Sequence, residues 1–471
     1  LVVAIAARDN EEAIAPEAPM NVISVDAPST ETPAIHSLSR VLGVRDGIAI
    51  VVGTVIGSGI FLVSGPIAQQ LPTLTLALSV WIAGGLLSLS GSLSLGELAA
   101  AYPGAGGLYV YLRQAYGKPV AFLYGWALFS LIQSGSIATL GSGFTLYLSK
   151  LIPLTPLEAK AIPIACILLF SLVNLFGMRL ARLVQNIGTI SKVAGLALVF
   201  GLLVCRGHLS LLRLDRPPAP SPAIFLAFGT ALTAVLWAFE GWHVVSFTAS
   251  EFRNPSRDLP RSLVSGTLIV TAVYLLLNLA YYSVLSSAQI ATGSSTAAVA
   301  MQTAWGGRAL LLVSAVVLTS ILGATNGMIM TAPRVYYAMA RDGVFFPKFG
   351  EISKRFRVPV FAILVQALWS SVLTLTGSFQ QLFTYVVFTA WVFYGLTVAA
   401  VIVLRVREPL RERKFLTPGY PWSPIAFVLA AGGVAFSTVL ASPLHAAFGI
   451  ALILLGLPLY LAFRAKQKDA Q

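Results

Sequence analysis

Gly53-Thr54-Val55-Ile56-Gly57-Ser58-Gly59-Ile60-Phe61 lies inside an apolar run that extends from near residue 47 to near residue 70. A helix that crosses a bilayer needs about 20 mostly apolar residues, and this run is long enough. Three glycines and a serine at its middle are a poor choice for an uninterrupted helix, because glycine costs about 1 kcal/mol relative to alanine in a helix interior. A second interruption, Trp237-Ala238-Phe239-Glu240-Gly241-Trp242, sets a carboxylate beside a glycine within the run from near 223 to near 249. Backbone that leaves the helix at membrane depth is tolerated only where it is buried in protein or lines a cavity.

Outward from these two stretches the chain is apolar throughout. Of 471 residues, 57% are hydrophobic and 10% charged, and the mean hydropathy is +0.83, more apolar surface than one globular core can hide. Further runs lie near 74–100, 119–148, 161–178, 183–204, 262–285, 309–331, 358–376, 382–404, 424–441 and 444–463. With the two interrupted ones they predict an all-α integral membrane protein of twelve transmembrane helices. Residues 1–40, rich in Ala, Glu, Pro and Ser, read as a disordered cytoplasmic N-terminal tail, 41–465 as the membrane domain, and 466–471 as a second cytoplasmic tail. With the N-terminus inside, 24 Lys and Arg fall in inside segments and 6 outside, leaving Lys192 within a span. That asymmetry predicts two cytoplasmic termini and a multi-pass protein of the cell inner membrane.

The net charge of +13 is spread over many short loops, which argues against a nucleic-acid face. Cys166 and Cys205 sit at or within apolar runs and read as small buried hydrophobes without a disulfide framework. No H-E-x-x-H, no G-x-x-x-x-G-K-[ST], no G-x-S-G and no pair of membrane-embedded aspartates is present, so an intramembrane enzyme is disfavoured and no cofactor or metal is expected. Charge rings or filter loops of a channel are not evident either. The two interruptions lie five runs apart, at corresponding positions of two halves, the pattern of a carrier with inverted repeats and a midplane site. Gly57 and Gly59 let the backbone unwind near a ligand, whose carboxylate the freed amides can hold. Lys192 is the one Lys or Arg deep within a span, a cation that the membrane makes costly.

In these motifs the chain resembles the amino acid/polyamine/organocation transporters, in particular bacterial relatives of the L-type amino acid transporters. Gly53 to Phe61 carry the resemblance together with Gly96-Glu97-Leu98-Ala99-Ala100-Ala101-Tyr102-Pro103, Gly106-Gly107-Leu108-Tyr109-Val110-Tyr111 and Val184-Gln185-Asn186 with Lys192. Gly241-Trp242, Glu251 with Asn254-Pro255 and Leu259-Pro260, and Arg341-Asp342-Gly343 extend it over roughly residues 40 to 465. The resemblance implies a LeuT-like 5+5 inverted repeat, with repeat one about 45–204, repeat two about 222–405 and two peripheral helices about 424–463. It implies secondary-active amino acid transport by alternating access, as exchange or proton-coupled uptake of neutral and possibly cationic amino acids. A non-transporting amino acid sensor and a polyamine or cationic amino acid antiporter are the alternatives.

The substrate site so implied comprises Val55, Gly57, Ser58, Gly59, Ile60, Trp237, Phe239, Glu240 and Gly241, with the Val55 carbonyl meeting the substrate amine and Trp237 as gate. Lys192 takes the place of a sodium ion, reaching the backbone of Gly53 and Ile56 and a hydroxyl, for which Ser320 is the candidate, and is a candidate proton carrier. His243 reads as a packed histidine and Glu97 as a structural carboxylate paired with a loop arginine. Eukaryotic light chains of this group carry a cysteine between helices 3 and 4. Lys150 to Lys160 contains none, so no disulfide-linked heavy subunit is expected, and the oligomeric state stays open.

Overall fold

The computed structural model describes residues 38–149, 151–208, 212, 221–292, 295–376, 379–441 and 443–469. The expected N-terminal tail lies outside them except for residues 38–40. The described chain is helical, and its one bridge of β type joins Leu42 to Phe252. The first run is divided into α1 (Val44–Val55), α2 (Gly59–Leu62) and α3 (Ser64–Gln70), followed by α4 (Leu74–Ala101) and α5 (Leu108–Tyr116). Next come α6 (Lys118–Ala127), a π-helical turn Leu128–Ile132, α7 (Gln133–Leu148), α8 (Pro156–Leu175) and α9 (Met178–Arg206). The second half holds α10 (Pro222–Ala238), α11 (Pro255–Val284), α12 (Ser287–Thr292), α13 (Thr296–Trp305), α14 (Ala309–Thr331) and α15 (Pro333–Arg341). It closes with α16 (Val360–Thr376), α17 (Phe379–Arg407), α18 (Trp422–Ala441), α19 (Pro443–Leu454) and α20 (Gly456–Asp469).

Ten helical segments among the described residues are long and apolar enough to cross a membrane, and α10 and α16 are shorter apolar helices. The sixth run is short because α10 stops at Ala238 and the chain continues through a turn into a 3-10 helix, Val244–Glu251. The run near 223–249 is longer than α10 because it continues past the interruption at Trp237 to Trp242, within which α10 ends.

Broken α1 sits at the centre, packed on α9, α11 and α14, with Ile50, Val51, Val52 and Val55 buried. The periphery is inverted with respect to a water-soluble protein. On α9, Leu183, Ile187 and Ile190 are exposed, Ile190 by 69%, while Lys192 is fully buried. This pattern corrects the reading of the cysteines: Cys205 is exposed and Cys166 half-buried, because apolar side chains that face lipid need no protein cover.

Buried charge gathers at the end of the bundle from which α1 starts. Glu97, near the end of α4, accepts from Arg405 at 2.8 and 2.6 Å and from the Thr417 amide at 2.8 Å, and Arg413 lies at 3.4 Å. Tyr102 donates to Glu408 at 2.8 Å. Burial and that bond push the Tyr102 phenol up to about 12, so it remains a donor at neutral pH. Arg334 on α15 holds Glu251 through two bonds of 2.8 and 3.1 Å, both side chains almost wholly buried. The Glu251 carbonyl in turn accepts from the Val41 and Leu42 amides at 2.9 Å, tying the approach to α1, the 3-10 helix and α15 together. Asp342 pairs with Arg113 and accepts from Tyr109 at 2.7 Å.

Removing one partner of a buried pair leaves an uncompensated charge, at a cost of about 3–5 kcal/mol. Glu251→Gln is therefore expected to lower the thermal midpoint of the purified protein, and the double variant Glu251→Gln/Arg334→Met to recover much of the loss. Equal midpoints for wild type and Glu251→Gln would show that the pair is energetically idle.

Candidate functional site

Breaking a helix frees carbonyls that otherwise accept from amides four residues on, and in an apolar interior each needs a new donor. The Gly57 amide turns to Val55 O at 2.8 Å, and the Phe61 amide bonds Ser58 O at 3.2 Å. The carbonyls of Gly53 and Gly57 thereby lose the amides that a continuous helix would bring them. Lys192 Nζ donates to Gly53 O at 2.6 Å, to Ile56 O at 2.8 Å and to Ser320 O at 2.8 Å. An ammonium has three protons, and all three are used. Ser320 Oγ stands within donating distance of Ile56 O at 2.8 Å and Gly57 O at 3.1 Å, one proton shared between them. Ser320 thus meets Lys192 through its carbonyl rather than the hydroxyl expected, because its hydroxyl is spent on the break itself.

The sixth run is stitched to the first by a residue outside both. Tyr274 on α11 donates within reach of Ala238 O at 2.8 Å and Val55 O at 3.1 Å. One phenol therefore bridges the carbonyls at which α1 and α10 end. The Glu240 amide bonds Trp237 O at 2.9 Å to close the turn, and Gly241 turns the chain with φ of 107°, a conformation that side chains disfavour. A Cβ at Gly241 would also come within 2.9 Å of Thr54 Cγ2, so the glycine lets the two breaks touch.

Between the breaks lies a narrow cavity of about 40 Å³. Thr54, Val55, Gly57, Ser58 and Gly59 line it from the first break, and Trp237, Ala238 and Glu240 from the second. Ser136, Thr139 and Leu140 of α7, Met328 of α14 and Val386 of α17 complete the wall. Thr54 Oγ1 and Ser58 Oγ are buried without a hydrogen-bond partner, so two hydroxyls are available to a polar ligand. Tyr394 on α17 donates to Glu240 Oε1, and its oxygen stands 3.3 Å from His243 Nε2. The His243 ring packs edge-on against Trp242 and Phe247.

Of the residues singled out from sequence, Val55, Gly57, Ser58, Gly59, Trp237 and Glu240 come together on this cavity, and Gly53, Ile56, Lys192 and Ser320 on the adjoining ammonium site. Ile60, Phe239 and Gly241 stand behind the wall: Ile60 is buried, and Phe239 packs edge-on against Tyr274 at 5.1 Å. Gly59, besides lining the cavity, is pressed against the other break. A Cβ there would fall 2.7 Å from Ala238 Cα, against the other break, whereas one at Gly57 would meet only Leu140 Cδ2 at 3.3 Å and Ala324 Cβ at 3.7 Å. The α7, α14 and α17 residues and the two tyrosines were not singled out, since Ser, Thr, Met and Tyr in apolar helices ordinarily serve packing.

The amino acid permease family model matches residues 42–459 of the chain. The chain is 31% identical over 441 residues to the serine/threonine exchanger SteT of Bacillus subtilis (strain 168), covering 92% of this chain and 98% of that protein. It is 31% identical over 446 residues to the b(0,+)-type amino acid transporter 1 of Homo sapiens, covering 92% of this chain and 90% of the relative. With the Asc-type amino acid transporter 1 of Homo sapiens it shares 28% identity over 436 residues, covering 90% and 82%.

Gly59→Val forces the two breaks apart, an overpacking that costs about 1–3 kcal/mol. The variant is expected to melt lower than wild type and to lose any thermal protection by amino acids, while Gly57→Ala, with a flexible leucine as neighbour, keeps it. Undiminished protection of a folded Gly59→Val protein would contradict this geometry.

Proposed function

The chain belongs to the amino acid permease family, and on that premise we propose how it works as a secondary-active amino acid transporter. It is a multi-pass membrane protein and a carrier, not an enzyme. In this reading it has twelve spans in a LeuT-like 5+5 arrangement, both termini cytoplasmic, in the inner membrane, and it works by exchange of neutral amino acids.

The observation that carries the reading is the cavity shared by both breaks. The substrate carboxylate faces the start of α2, where the first amides of a helix lack partners within it. The ammonium faces carbonyls at the end of α1, and the hydroxyls of Thr54 and Ser58, unpartnered in the structure, turn to the ligand. Free space of about 40 Å³ holds no more than a few waters. An amino acid therefore enters by displacing wall residues, with Trp237 as the movable one, and a small side chain is favoured beside Leu140, Met328 and Val386. The serine/threonine exchanger among the relatives agrees with a small polar substrate. Glu240, held by Tyr394, faces the substrate from the second break. Segment 150–160 lacks a cysteine, which supports a transporter without a disulfide-linked heavy subunit.

Proteoliposomes loaded with an unlabelled amino acid test this directly. Uptake of labelled serine or threonine is expected to rise several-fold when the lumen holds the same amino acid, and to exceed uptake of lysine and of tryptophan. Glu240→Gln is expected to lower the rate for every substrate, since the carboxylate faces the common part of the ligand. Binding without flux would make the protein a sensor, and loss confined to cationic substrates would move Glu240 to their side chains.

A further inference from the structure

Beyond the central cavity, a cleft of about 570 Å³ opens at the end of the bundle where α11 begins, lined by Arg253, Arg257, Arg261 and Lys414 with Ser256 and Phe415 among the rest. All four cations are exposed, and among the described residues none is joined to a carboxylate in an ion pair and no Asp or Glu lines the cleft. Other arginines at this end are spent on partners: Arg113 on Asp342, Arg182 on Asp46, Arg334 on Glu251 and Arg405 on Glu97. The acidic residues next to these cations in sequence lie outside the lining: Asp258 in the opening turn of α11 is 7% exposed, Glu251 is buried on Arg334, and Glu412 is exposed.

The cleft is built on fixed parts. A Cβ at Gly96 of α4 would lie 3.0 Å from the Phe415 ring and 3.3 Å from Pro260, so ring and proline close the floor on α4. Lys414 is carried by a segment whose ends are anchored on Glu97, through Arg413 at 3.4 Å and the Thr417 amide at 2.8 Å. Arg253 is set by its amide, which donates to Leu42 O at 2.9 Å. Four like charges converging on one concavity repel one another unless an anion joins them. Because α11 is long and apolar enough to span the bilayer, its first turns lie at the membrane surface, beside a floor that is partly apolar. Basic pockets between spanning helices at that level hold phosphate-bearing headgroups.

We infer that this cleft is a binding site for the phosphate headgroup of an acidic phospholipid, held by Arg253, Arg257, Arg261 and Lys414 with its glycerol portion over Phe415. The inference needs only that the chain spans a membrane and is independent of the substrate reading.

Native mass spectrometry of the full-length protein, titrated with phosphatidylglycerol and separately with phosphatidylcholine, tests it. Wild type is expected to prefer the acidic lipid, and Arg257→Gln/Arg261→Gln to bind it at least about tenfold more weakly with unchanged phosphatidylcholine binding. Arg253→Gln/Lys414→Gln, which leaves α11 untouched, is expected to do the same, and Lys354→Gln/Arg355→Gln, exposed cations outside the cleft, to bind as wild type. Loss of phosphatidylglycerol preference in the Lys354 and Arg355 control, or its retention in both cleft variants, would overturn the site. Inorganic phosphate at millimolar concentration is expected not to displace the lipid, and displacement would overturn the assignment to lipid in favour of a soluble phosphate.

Discussion

Three hydrogen bonds from one ammonium make the broken helix possible. Opening α1 in the buried interior of the bundle strands carbonyls, and an unpaired polar group in such surroundings costs several kcal/mol. Lys192 donates to Gly53, Ile56 and Ser320, and Ser320 and Tyr274 attend to the carbonyls of Ile56, Gly57 and Val55. The charge needs solvation and the backbone needs donors, and each meets the need of the other. One side of the cavity follows from this exchange, because Thr54 to Gly59 belong to the stretch of backbone that the lysine holds open.

The same logic links the site to the end of the bundle where α1 begins. Tyr274 joins the end of α1 to that of α10, while Glu251, eight residues past His243, holds Arg334 and the amides of Val41 and Leu42. Bonded groups therefore connect the second break with the approach to α1 and the start of α15. Carriage between the two faces of a membrane requires such coupling, since the cavity must open to one side while it closes to the other. The ion pairs of Glu97 and Asp342 close the same end of the bundle.

Much of this was legible in the residues. Span length and hydropathy locate the helices, and glycines at 53, 57 and 59 mark the first break because a helix interior disfavours them. Lys192 stands out because a buried cation is rare, but its partners at Gly53 and Ile56 came through the family resemblance and not through spacing. What stayed hidden depends on rotation and long-range packing. Whether Ser320 offers Oγ or its carbonyl is set by how α14 turns toward α1, and Tyr274 meets Val55 across 219 positions of sequence. Cys205 faces outward because helices at the rim are apolar on every side, so periodicity does not tell lipid from core. The break after α10 at Ala238 was marked by Glu240 and Gly241, whereas the 3-10 geometry of Val244–Glu251 was not, since composition does not tell one helix type from another.

Lys192 is the residue on which the broken helix depends. The initial rate of amino acid counterflow into proteoliposomes should be compared for wild type and Lys192→Met, a side chain of similar length without donors, after both proteins are shown to insert and to elute as folded particles. Losing the ammonium takes from the Gly53 carbonyl the donor that replaces its helical amide, and leaves Ile56 with Ser320 Oγ alone, and a fall of about tenfold or more is predicted. A Lys192→Met protein that exchanges at the wild-type rate would contradict that dependence.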